Sequence, residues 1–231
     1  MRSDGVEAIL LDMGGVLVPE VPGYANAARD ASLLQRLREV GIQEPERLIV
    51  EGSQRLRDTY IALEPQGTQP DLDLVFAELA PPMRELLLDA FRREAAQPAH
   101  VHVRDVVAQL AQRYKLGLVS NTVIPGDHHA RSLEASGILQ YLDAAVWSAN
   151  FGRRKPDPAM VFYVLEELGV PSEQAILVGD KIRTDILAAK RAGIRAIWLR
   201  MANAPHTGEA EPDFIIHDLR ELPLLLDRFG S

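Results

Sequence analysis

The sequence predicts an α/β fold: a parallel sheet covered by helices on both faces, with an α-helical segment inserted after the first strand. Three observations carry this. Short runs of consecutive apolar residues recur along the chain, too short and too continuously apolar to be half-exposed strands. Helical stretches closed by glycine lie between them, and strands alternating with helices imply a parallel sheet. The alternation is suspended between about residues 18 and 100, where almost no β-type run occurs.

Strands are expected at 6–11, 116–119, 144–147, 175–178, 196–199 and 214–216. Among the helices, 103–114 places Val106, Val107 and Leu110 on one face, 159–168 ends in Gly169, and 184–192 ends in Gly193. Within the interruption, helices are expected at 27–40 (closed by Gly41), 45–60, 72–79 and 83–95. The connection 64–71, with two Pro and one Gly, reads as a bend between helix pairs. An insert at this place sits above the carboxyl end of the first strand and acts as a lid. The expected division is a core of 1–17 and 99–231 with a helical cap of 18–98. The hinges are expected at 18–23 and at Gln97-Pro98, and Tyr24 lies in the hinge region.

Composition narrows the function classes. With 231 residues, 47% hydrophobic and 25% charged, the chain can bury an ordinary core. Its net charge of −8 argues against a nucleic-acid partner, whose phosphates are bound by Lys and Arg. The absence of cysteine excludes disulfides, zinc–thiolate sites and a thiol nucleophile. MRSDGVEA at the start has no apolar signal core, and no apolar run approaches a membrane span, so a cytoplasmic enzyme or binding protein is expected.

Four strings carry the chemistry: LLDMGGV (10–16), KLGLVSN (115–121), GRRKPDP (152–158) and AILVGDKIRTD (175–185). Three of them close a predicted strand, placing Asp12, Ser120 and Asp180 at carboxyl ends, where parallel sheets bind ligands. Attack by a carboxylate on a phosphate dianion brings like charges together. Two unit charges ~4 Å apart cost roughly 4 kcal/mol at an effective dielectric of 20. Compensating positive charge is therefore required. Asp12, Asp180 and Asp185 form an all-oxygen set suited to Mg²⁺, and without a cation at least one of them must hold its proton. Lys155, in a loop stiffened by Pro156 and Pro158, adds an ammonium. Ser120 can donate its hydroxyl to a phosphoryl oxygen. Taken singly, each string reads most simply as a turn or a helix cap. Their joint appearance in this order does not.

With these strings in place, the chain resembles the haloacid dehalogenase superfamily, in the subgroup with a helical cap inserted after the first motif. The resemblance runs from about Glu7 to Leu225 and is most specific at VGDKIRTDILAAKRAGIRAIWL (178–199). It implies a Rossmann-like doubly wound parallel sheet core with an inserted α-helical cap domain. It also implies a phosphatase acting on a small phosphorylated metabolite through an aspartyl-phosphate. By the same resemblance Asp12 is the nucleophile, with Ser120 and Lys155 completing the catalytic set. Ser120, Asn121, Lys155 and Gly15 bind the phosphoryl group. Asp12, the Gly14 carbonyl, Asp180 and Asp185 hold Mg²⁺, Asp185 directly or through its outer shell.

One departure matters. Family phosphatases usually carry a second Asp, the general acid and base, two residues after the nucleophile, where this chain has Gly14. General acid–base assistance contributes ~10²–10⁴-fold. Its loss favours low-pKa leaving groups such as anomeric, acyl or aryl phosphates, with Glu20 and His128 as candidate substitutes. The rival readings are a catalytically weak phospho-ligand binding or regulatory protein and, on the same fold, a dehalogenase. Phosphonate cleavage needs a cap lysine, and 18–100 contains none. Arg29, Arg36, Arg38, Arg47, Arg55 and Arg57 on the insert are candidate anion contacts. Trp147 and Trp198 are expected in the core. The oligomeric state, monomer or homodimer, is left open.

Overall fold

In the computed structural model, residues 5–20, 25–202 and 204–229 are described; Tyr24 and residues 21–23 of the expected 18–23 hinge lie outside them. Strands β1 (Ala8–Leu11), β2 (Lys115–Ser120), β3 (Ala144–Trp147), β4 (Ala175–Gly179), β5 (Arg195–Leu199) and β6 (Phe214–Ile216) form one sheet in the order β3-β2-β1-β4-β5-β6. Every pairing is parallel. β1 lies at the centre, with Ile9 opposite Leu116 of β2 on one side and Ile176 of β4 on the other.

The continuous apolar runs are explained by the two faces of this sheet. Successive side chains of a strand point to opposite sides. Ile9, Leu11, Leu116, Leu118, Ile176 and Val178 enter one buried cluster; Ala8, Leu10, Ala175 and Leu177 enter another. Both faces are dry, so neither set is polar.

Among the described residues five helices separate β1 from β2, and the first four belong to the insert: α1 (Ala31–Glu39), α2 (Pro45–Leu63), α3 (Leu72–Val75) and α4 (Pro81–Ala95). They share a separate apolar cluster containing Leu33, Leu37, Ile49, Leu56, Phe76, Leu87 and Phe91, joined by Val123 and Ile124 from the loop after β2. The remaining helices are α5 (Val103–Leu110), α6 (Gly126–Ala135), α7 (Ser148–Phe151), α8 (Ala159–Leu168), α9 (Leu187–Arg191) and α10 (Leu222–Leu226). α5 and α10 cover one face of the sheet, and α8 and α9 the other.

Where boundaries differ from expectation, a local hydrogen bond is responsible. The expected helix 27–40 is divided: a 3-10 turn Ala25–Arg29 precedes α1, because Asp30 adopts an extended backbone and its carboxylate caps Ser32 N and Leu33 N at 3.0 and 3.1 Å. The segment expected as a helix at 72–79 holds only one regular turn, capped by Asp71. The stretch 184–192 opens earlier, as a π turn Ile182–Ile186 leading into α9.

The helical segment and the sheet core meet at a second place, the bend 64–71. Arg154 N donates to Gly67 O at 2.9 Å, Arg154 Nε to Thr68 O at 3.0 Å, and Gln69 Nε2 to Thr122 O at 2.9 Å. The fully buried Arg154 guanidinium lies 3.7 Å from the centre of the Tyr60 ring and also donates to Tyr60 O. At the expected hinge Gln97-Pro98, Gln97 O accepts from Ser132 Oγ at 2.6 Å, tying the connection to α6.

Gly117, in the middle of β2, shows how closely α8 seats on the sheet. A Cβ there would stand 2.4 Å from Val164 Cγ1 and 3.3 Å from Leu168 Cδ1. Gly117→Ala is therefore predicted to lower unfolding stability by about 1–3 kcal/mol through overpacking. In urea titration the midpoint should fall at unchanged slope, and an unaltered midpoint would contradict this packing.

Candidate active site

The sheet order reverses direction about β1 and β4, and ligands of open α/β sheets bind at such a point. Asp12 immediately follows β1, and its N–H donates to Val178 O at 2.9 Å, extending the β1–β4 ladder by one residue. Asp180 follows β4, and its carbonyl accepts from Trp198 Nε1 at 2.9 Å. Asp185 lies in the π turn, where its Oδ2 accepts from Lys181 N at 2.9 Å. Ser120, the last residue of β2, is buried.

Lys155 enters from the loop between α7 and α8. Both ends of the Asn121 side chain grip its main chain: Lys155 N donates to Oδ1 and Nδ2 donates to Lys155 O, each at 2.8 Å. The fully buried Nζ then meets Asp12 Oδ1 at 2.7 Å, Asp185 Oδ1 at 2.8 Å and Val119 O at 2.6 Å. An ammonium has three donors, and all three are used.

The carboxylates outnumber this ammonium. Asp12, Asp180 and Asp185 each offer an oxygen, and these oxygens lie within 4.8 Å of one another. Burial pushes Asp180 up to about 8, reinforced by Asp185 and Asp12. Burial also raises Asp12, with Lys155 opposing the rise. For Asp185 burial acts the same way, but Lys155 and the Lys181 N–H outweigh it and the carboxyl is lowered. Burial alone would lower Lys155; Asp12 and Asp185 hold it well above the usual ammonium range.

Two glycines permit this crowding. A Cβ on Gly15, which has φ +79°, would stand 2.4 Å from Asp180 Oδ2, and one on Gly179 would stand 2.2 Å from Asp185 Cβ. Asp180 Oδ1 is buried without any hydrogen-bond partner. A hard, all-oxygen donor set with one unsatisfied carboxylate oxygen suits a divalent cation such as Mg²⁺.

A cavity of about 350 Å³ opens over Asp12 and Asp185, two of the three carboxylates. Asp12, Gly14, Asn121 and Asp185 line it, as do Glu20, Thr122, His129 and Lys181. From the insert, α2 contributes Ser53, Leu56, Arg57, Tyr60 and Ile61, followed by Glu64. Spacings of three and four residues place these on one helical face.

Two expected phosphate contacts also make hydrogen bonds within the fold. The Gly15 N–H donates to Val18 O at 2.8 Å within the tight turn after Asp12, and Gly15 also permits the approach of Asp180. The Asn121 side chain holds Lys155, as above. His128 is not among the lining residues and stands 3.9 Å from Asp127. Its neighbour His129, which sequence reasoning missed, is buried against the cavity with Nε2 2.8 Å from Thr122 Oγ1. Burial, with His128 adding to it, lowers His129 to about 4, so it is neutral near pH 7. Glu20 lines the cavity but is paired with Lys181 Nζ at 2.6 Å.

Comparison with known proteins agrees with this geometry. Residues 6–193 match the haloacid dehalogenase-like hydrolase profile. The chain belongs to this hydrolase family. A phosphoglycolate phosphatase of Pseudomonas fluorescens strain Pf0-1 is 28% identical over 218 residues, spanning 93% of this chain and 77% of that protein. A phosphoserine phosphatase of Thermus thermophilus is 32% identical over 140 residues, spanning 60% of this chain and about half, 55%, of that relative. A solved 2-haloacid dehalogenase from Pseudomonas syringae pv. Tomato DC3000 superposes with a TM-score of 0.64 at 27% identity, covering 97% of this chain and 99% of that one. Among the described residues of this family member, no helix is long and apolar enough to cross a membrane.

The raised Asp180 carboxyl has a consequence for stability. The folded chain holds this proton to about pH 8, whereas an ordinary carboxyl releases it near 3.8. The native state therefore binds more protons between these values, and stability is lost as pH rises through that window. With a chelator present, Asp180→Asn should match the wild type near pH 4 and become increasingly more stable toward pH 8. The gain is bounded by about 1.4 kcal/mol per unit of the shift. Urea unfolding at several pH values measures it, and parallel curves for the two proteins would refute the buried-carboxyl account.

Proposed function

We propose that this hydrolase is a Mg²⁺-dependent phosphatase, acting on a small phosphorylated metabolite through an aspartyl-phosphate on Asp12. One observation carries the reading: Asp12 shares Lys155 with Asp185, while the partnerless Oδ1 of Asp180 lies in the same carboxylate cluster. The phosphatase names of the relatives point the same way. Asp12, Asp180 and Asp185, with the Gly14 carbonyl, would hold the ion. When bound it supplies the positive charge that lets a carboxylate approach a phosphate dianion.

The chain's own groups do the rest. Lys155 holds Asp12 Oδ1, orienting the carboxylate for attack by an oxygen on phosphorus. The bond from phosphorus to the ester oxygen breaks, and that oxygen takes its proton from water. Water then attacks the aspartyl-phosphate, releasing phosphate and restoring Asp12. Ser120 and main-chain N–H groups after β2 receive the phosphoryl oxygens, while the helical cap of 18–98 covers the core formed by 1–17 and 99–231. Carbon–halogen hydrolysis on the same fold involves no phosphate dianion, and the third carboxylate, Asp180, favours the phosphatase.

A panel of phosphorylated metabolites, assayed with and without Mg²⁺, tests the reading. Turnover should require the ion, and Asp12→Asn should reduce it by about 10³-fold or more. A binding or regulatory protein would instead show negligible turnover and keep Mg²⁺-dependent phospho-ligand affinity in Asp12→Asn, read by calorimetry.

Gly14 determines which esters react well. No positioned acid protonates the departing oxygen, so the rate should fall steeply as leaving-group pKa rises. A Cβ on Gly14 meets nothing within 4 Å, and the residue lines the cavity, so an aspartate has room. Gly14→Asp is predicted to raise turnover of alkyl phosphates, within the ~10²–10⁴-fold that general acid assistance supplies. A flat leaving-group series, or no gain in the variant, would show that another group already delivers the proton.

A further inference from the structure

We propose that Arg57 forms a subsite for a carboxylate on the substrate, so that the preferred substrates are short phosphorylated carboxylic acids. The inference rests on the phosphatase reading and adds the substrate class. The charges lining the cavity are nearly all spoken for. Asp12 and Asp185 share Lys155, Glu20 holds Lys181, and Glu64 accepts from Arg183 at 3.1 Å. Arg57 lines the same cavity, and among the described residues no hydrogen bond or ion pair engages it.

The other five candidate arginines of the insert do not compete. Arg36, Arg38, Arg47 and Arg55 are paired with Asp89, Glu46, Glu51 and Glu78, and neither these four nor Arg29 lines the cavity. Around Arg57 the α2 face is largely apolar, with Leu56, Tyr60 and Ile61 on the wall. A guanidinium presents a planar fork that matches a carboxylate through two parallel hydrogen bonds. One fork carries one positive charge, which balances a monoanionic carboxylate. A second phosphate would bring a further negative charge toward Glu20 and Glu64. A cavity of about 350 Å³ has room for a small acid with both of its anionic ends.

The experiment compares a short phosphorylated 2-hydroxy acid with its carboxamide, which keeps the phosphoester and size but loses the charge. p-Nitrophenyl phosphate serves as a substrate without a carboxylate. Wild-type kcat/KM for the acid should exceed that for the amide by about 10- to 100-fold, mainly through KM. Arg57→Gln should bring that ratio close to one, and Arg57→Lys should keep part of it. A wild type that hydrolyses p-nitrophenyl phosphate but does not distinguish acid from amide overturns the inference and leaves the phosphatase reading standing. So does an undiminished ratio in Arg57→Gln, or a wild-type preference for a bisphosphate over the acid. No turnover of any phosphoester by the wild type removes both.

Discussion

The site depends on one buried ammonium. Taking the Lys155 charge out of water is costly, and it is stable there because Asp12, Asp185 and the Val119 carbonyl meet all three of its donors. Those partners come from distant parts of the chain, and only the sheet brings them together. The β1–β4 ladder fixes Asp12, the end of β2 supplies Val119, and Asn121 holds the Lys155 main chain at both its N–H and its carbonyl. Removing either carboxylate would leave a buried charge poorly compensated, so the carboxylates that face Lys155 also hold the loops in register.

Lys155 does not neutralise the whole cluster. Three carboxylates face one ammonium, and the excess falls on Asp180, which is buried with an unsatisfied oxygen and a raised proton affinity. The backbone is shaped to permit this crowding. Gly15 and Gly179 lack the Cβ atoms that would strike the carboxylates of Asp180 and Asp185. The π turn that begins at Ile182 carries Asp185 back toward the Lys181 N–H, a one-residue widening of the helix start of the kind found at functional sites. A bound divalent cation would give Asp180 Oδ1 the partner it lacks.

The sheet was legible because a parallel sheet buried on both faces leaves continuous apolar runs, and all six such runs became strands. Asp12, Ser120 and Asp180 were legible for the same reason, since each ends a run. The internal hydrogen bonds of Asn121 and Gly15 were not, because they depend on how the turns after β1 and β2 are folded. His129 was passed over for His128: on a short helix, adjacent residues point to different sides, and only the packing shows which side is the cavity. The start of α1 followed a local signal, an aspartate positioned to cap, that the apolar periodicity concealed. Six insert arginines looked alike in sequence. The rotation of α2 distinguished Arg57 from the rest.

That rotation is itself fixed from the catalytic side. The Tyr60 ring lies against the Arg154 guanidinium, and Arg154 is the residue immediately before Lys155. A stacked, desolvated cation of this kind resists rotation of the helix that carries the ring. Arg57 precedes Tyr60 by three residues and so shares its face. The loop that delivers the ammonium to Asp12 thus also sets the direction in which α2 presents its positive charge. Segment 154–155 therefore touches both sides of the cavity: Lys155 reaches Asp12, and Arg154 reaches the face of α2 that carries Arg57.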